Sequence, residues 1–149
     1  MTISSSQNAL RVPRKRIAEL AAFVASRQGA ALAELDLAVV GRAEMARLNR
    51  RWLGRRGATD VLSFDLSRPG ERGIRVQLVV CGDVAAAEAA ARGHAKQREL
   101  MLYVVHGLLH AMGCDDRSAR LAAAMRARQE QLLGAFLACR RRGARPGSP

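Results

Sequence analysis

His106 and His110 stand four residues apart in V-V-H-G-L-L-H-A-M-G-C-D-D, residues 104–116. On an α-helix that spacing projects both imidazoles from one face, within reach of a single metal ion. Gly113 suits a left-handed helix C-cap, and the turn beyond it brings Asp115 or Asp116 back towards the histidines. The result is an H-x3-H-x5-D pattern. Its three nitrogen or oxygen donors leave the fourth position of a tetrahedral zinc to water, as catalytic zinc sites do. The competing reading is a pair of polar tips at the edge of a packed helix. Against it, the chain has three histidines in all, and two of them fall in this one stretch ahead of a glycine and an acid.

An ion so held lowers the pKa of water towards neutrality and polarises the oxygen under attack, which suits amide carbonyls and phosphodiesters. In H-E-x-x-H peptidases the residue after the first histidine is the glutamate general base. Here it is Gly107, which argues against peptide hydrolysis and predicts open space beside the metal. The formal net charge is +12 and comes almost wholly from arginine, Lys15 and Lys96 being the only lysines. Such an excess attracts polyanions, which puts nucleic acid first among partner classes. One Trp, one Tyr and three Phe offer little stacking surface for single-stranded bases.

A chain of 149 residues fits one domain with a proper core. Cys81, Cys114 and Cys139 are odd in number and scattered, which points away from a disulfide framework and towards a reducing cytoplasm. The first residues lack a basic segment followed by an apolar run, and no stretch reaches the roughly 18 apolar residues of a membrane span. The periodicity predicts a short strand around Ile3, a helix over 13–27, and a strand over 35–40. A helix over 43–53 follows, with Met45, Leu48 and Trp52 at helical spacing. A basic loop leads to a strand over 59–66, and a second strand over 74–80 continues through 82–84 and pairs antiparallel with the first. Helices follow over 85–92, 97–112 and 119–138. The helix over 97–112 is apolar almost all round and therefore central. Ser118 is the N-cap of the last helix, which turns Leu121, Met125, Leu132 and Phe136 inward. His94 reads as an exposed linker residue, and the Arg- and Gly/Pro-rich end as a disordered basic tail over 140–149, leaving 1–139 as the domain.

H-G-L-L-H-A-M-G-C-D-D resembles the H-G-x-L-H-x-x-G-x-D-H signature of the YbeY family of metal-dependent bacterial endoribonucleases. L-N-R-R-W, T-D-V-L-S-F, G-D-V, R-E-L and the Met125 to Glu130 spacing occur in the same order, so the likeness covers residues 35–133. It implies an α+β fold, a single domain with a small mixed β-sheet flanked by about five helices. The metal site then lies on a buried central helix and the turn after it. It also implies one Zn2+ ion, held by His106, His110 and Asp116, other divalent ions being compatible. The implied activity is single-strand-specific cleavage of RNA in maturation of the 16S rRNA 3′ end and late quality control of the 30S subunit. Ribosomal or assembly proteins are the implied partners.

Two departures bear on the site. The family's third ligand is a histidine where this chain has Asp116; an aspartate binds zinc at about 2.0–2.2 Å but reaches less far. Asp115 matches the family's aspartate and reads as a turn-forming or supporting group, and Cys114 as a packing residue. The family's loop arginine aligns with Leu53, so Arg55 and Arg56 are the candidates for phosphate contact through their planar forks. The alternatives are a non-cleaving RNA-binding assembly factor with a structural metal, and a small metallopeptidase.

Overall fold

The computed structural model describes residues 1–54 and 60–141, with side chains to residue 139. The chain runs β1 (Thr2–Ser6), α1 (Arg14–Arg27), β2 (Leu32–Val40), α2 (Arg42–Leu53), β3 (Val61–Asp65), β4 (Ile74–Cys81), α3 (Gly82–Arg92), α4 (Lys96–Ala111) and α5 (Ala119–Arg141). The four strands form one mixed sheet in the order β1-β2-β4-β3. β1 pairs parallel with β2, and β2 with β4, while β3 pairs antiparallel with β4 and forms the edge. The expected α+β architecture, with a small mixed sheet and five helices, is therefore present.

Alternation along the strands divides the interior in two. Leu35, Leu37, Val39, Val76, Leu78 and Val80 turn to one face, where α1 and α4 cover them in the main core and α5 packs on those two helices. Val40, Leu62, Val79 and Cys81 join Met45 of α2 in a smaller cluster. β2 and β4 alternate at first and become wholly apolar over Leu37–Val40 and Leu78–Cys81, where both faces are covered. α4 buries Leu100 through Val105 and Gly107 through Leu109, leaving His106 and His110 partly exposed, so the expected central helix is present. Among the described residues no helix is long and apolar enough to cross a membrane.

Several local expectations are corrected. β4 ends at Cys81, and Gly82 to Val84 already belong to α3, whose first turn carries Asp83. The Asp83 carboxylate accepts a hydrogen bond from the Arg42 backbone N–H at 2.8 Å, tying α3 to the start of α2. Leu121 is exposed, whereas Met125, Leu132 and Phe136 are buried as expected. Trp52 is 59% exposed, in spite of its helical spacing with Met45. Ser118 does cap α5, its hydroxyl accepting from the Leu121 N–H at 3.1 Å. α5 continues to Arg141, and residues 142–149, which hold most of the expected tail, lie outside the described residues.

His94 is not an exposed linker residue. Its Nε2 meets the carboxylate of Glu99, which is wholly buried. Arg92 reaches the other oxygen of that carboxylate at 3.1 Å. Tyr103 lies one turn after Glu99, and its phenol is pushed well above its ordinary range, first by burial and then by the Glu99 charge. A buried carboxylate is costly unless paired and hydrogen-bonded, and this one holds the start of α4 against the end of α3.

Gly107 has a different role from the one expected. A Cβ there would lie 2.7 Å from Leu78 Cδ2 and 3.1 Å from Val61 Cγ2. The missing side chain thus lets α4 press onto β3 and β4, and the position faces the sheet instead of opening space at the metal. Ser63 fixes the contact by donating to the Gly107 carbonyl at 2.8 Å. Gly107→Ala should lower stability in urea denaturation by about 1–2 kcal/mol, overpacking outweighing the gain in helix propensity. An unchanged midpoint would show that the contact has slack.

Candidate metal centre

The two histidines emerge from the last turns of α4 because their neighbours at 105, 107, 108 and 109 are committed to the core. α4 ends as its glycine requires. Gly113 has φ +94; its N–H donates to the His110 carbonyl at 3.0 Å, and the Cys114 N–H to that of Leu109 at 2.9 Å. These are the two bonds of a Schellman motif. Cys114 packs against the main core, which aims the following residues back along the helix.

Asp116 is the acid so delivered. Its Oδ2 lies 3.2 Å from His110 Nε2 and 4.0 Å from His106 Nε2, and the two Nε2 atoms are 3.1 Å apart. Donors bound at about 2.0–2.1 Å and at tetrahedral angles lie roughly 3.3 Å from one another, so the three separations fit one ion. His106, His110 and Asp116 form a group that could hold a metal. Asp115 serves the turn instead. Its carboxylate accepts from the backbone N–H of Arg117 at 2.9 Å and from the Arg117 guanidinium at 2.9 and 3.0 Å. The side-chain bonds from Arg117, followed by the backbone bond, hold its carboxyl below the usual range.

The group lies between two hollows. One, of about 530 Å³, is lined by Leu53, by 60–65 along β3, and by both histidines and Asp116. The other, of about 300 Å³, is bordered by Arg92, Tyr103, Arg126 and Gln129 and shares Asp60, His106 and Asp116 with the first. Asp60 thus faces both. It was not singled out from the sequence as a site residue, although T-D-V-L-S-F contains it. Arg55 and Arg56 lie outside the described residues, while Leu53 does line the larger hollow.

Gln129 is the other residue the sequence reading missed. It is nearly buried, and its Oε1 lies 2.8 Å from His106 Nδ1. A carbonyl oxygen only accepts, so Nδ1 carries the proton and the Nε2 lone pair is left for a metal. The available signal was its place four residues, one helical turn, after the inward-facing Met125. Gln129→Leu should keep the fold and weaken divalent-ion binding by about 10–100-fold in calorimetric titration; full affinity would mean that packing alone orients His106.

Comparison with known proteins supplies the family. The family described as Endoribonuclease YbeY matches residues 2–137. The chain is 37% identical to an endoribonuclease YbeY of Acidothermus cellulolyticus, over 99% of this chain and 98% of that one. It is 38% identical to that of a Nocardioides species, over 83% and 89%. A solution structure of a Thermotoga maritima protein superposes with a TM-score of 0.64 at 20% identity, covering 99% of each chain, which speaks to fold alone. From the matched length and these relatives, the chain belongs to the YbeY family.

Proposed function

We propose that the protein is a zinc-dependent, single-strand-specific endoribonuclease that matures 16S rRNA at its 3′ end and acts in late quality control of the 30S subunit. The observation that carries the reading is the convergence of His106, His110 and Asp116 at the junction of two hollows, in a chain whose relatives are named endoribonucleases. Two neutral imidazoles and one carboxylate are a donor set that zinc accepts, with a position left open. A zinc ion bound there would supply Lewis acidity and water activation near neutral pH.

The chain's own groups do the rest. Gln129 presents the His106 lone pair, and the Schellman turn presents Asp116. Arg92 and Arg126 border the smaller hollow, where cations favour a phosphate backbone. Arg55 and Arg56 supply further phosphate contact in this proposal. The net charge of +12 suits RNA and the 30S subunit as partners, and the setting is cytoplasmic. No carboxylate stands at position 107, and that position faces the sheet, which disfavours the peptidase alternative. A non-cleaving RNA-binding assembly factor is favoured by one observation, that the position aligned with the family's loop arginine is Leu53, which lines the cleft.

Elemental analysis joined to an RNA cleavage assay tests the proposal. His110→Ala should lose both metal and cleavage. Asp116→Ala should lose metal, and Asp116→His should retain it. Metal content unchanged in Asp116→Ala would remove Asp116 from the ligand set, and cleavage retained by metal-free His110→Ala would sink the mechanism.

A further inference from the structure

The end of α2 carries a feature that the metal group does not use. Trp52, the only tryptophan of the chain, is 59% exposed although its body is large and apolar. It is held in place. Its ring meets that of Phe64 edge-on, with centroids 6.0 Å apart and planes at 68°. The Arg51 guanidinium lies over it, 5.4 Å from the ring centroid. Phe64 and Leu53, the contact and the chain neighbour of Trp52, both line the 530 Å³ hollow that contains His106, His110 and Asp116. An exposed indole, braced from the side and flanked by a cation at the rim of that hollow, has the makings of a stacking platform.

We infer that Trp52, with Phe64 as its brace and Arg51 as its cation, forms a subsite that stacks an unpaired nucleobase of the RNA strand entering the cleft. This rests on the RNA reading of the metal group and adds a residue that grips a base, where the arginines grip phosphate. Single-stranded RNA is bound this way because each unstacked base offers a π-face to an aromatic ring or to a guanidinium plane. A base paired within a duplex has both faces covered by its neighbours. The platform thus gives a physical reason for single-strand preference without any base-edge hydrogen bond. The low aromatic content, which seemed to leave little stacking surface, is no obstacle, since one placed ring suffices for one base.

Because Trp52 is the sole indole, its fluorescence reports on the subsite directly. The full-length protein is mixed in stopped flow with a single-stranded RNA oligonucleotide and read before turnover. The comparison is a strand of the same length with abasic riboses. The base-bearing strand should quench and the abasic strand should not. Trp52→Ala should raise KM for single-stranded RNA about tenfold, the loss of one stacked base, with kcat within about twofold. Trp52→Phe should recover most of the loss. Equal quenching by both strands, or no quenching by either, overturns the inference, the latter pointing to a protein partner at this rim. An unchanged KM in Trp52→Ala, or a fall in kcat alone, overturns it too. Base-selective quenching in a wild-type protein that cleaves no RNA would uphold the subsite while removing the hydrolytic reading.

Discussion

Everything at the metal centre depends on how closely α4 lies against the sheet. Helix and sheet meet at Gly107, where a single added carbon would collide with the fully buried Leu78, and the contact is latched by Ser63. Helical geometry then decides the rest. With position 107 turned onto β3 and β4, its neighbour at 106 faces the side of the sheet edge, and 110 sits one turn above it. The Glu99 cluster anchors the same helix at its other end. The histidines are thus placed by packing at Gly107 and by the Glu99 cluster at the other end of α4, and Gln129 then sets the orientation of the His106 ring.

This dependence explains what could be read from the sequence. Period and composition locate elements, and the run from Leu100 to Leu109 announces a central helix because nearly every face is apolar. The histidine pair and the following glycine disclose a metal group through spacing along one helix and one turn, which are local properties. Gln129 and Asp60 belong to segments 23 and 46 residues from His106 in the chain (129 − 106 and 106 − 60), and only the fold brings them near. No local pattern marks a glutamine as the partner of a particular imidazole.

The misreadings have a common origin. Gly107 was read as space because a glycine in a motif lacks a side chain, but whether that leaves a void or admits a neighbour depends on the facing layer. His94 does stand in the linker between α3 and α4, but it is not free in solvent, because Glu99 reaches it from the next helix. Trp52 and Leu121 keep the helical spacing of inward residues, yet both are exposed. For these two the period is right, and the opposing surface, not the period, decides burial.

The Schellman turn separates two kinds of constraint within one donor set. His106 and His110 are rooted in the core helix, so any change that moves them also disturbs the layer that folds the protein. Asp116 sits past the cap on an exposed turn, following Cys114, which packs on the core, and Asp115, which ties to Arg117. Exchange of nitrogen for oxygen at that one position alters the charge and hardness of the site at little expense to the interior. In the proposed centre, ion preference is therefore open to change at an exposed turn position, while the two helix positions are tied to the core.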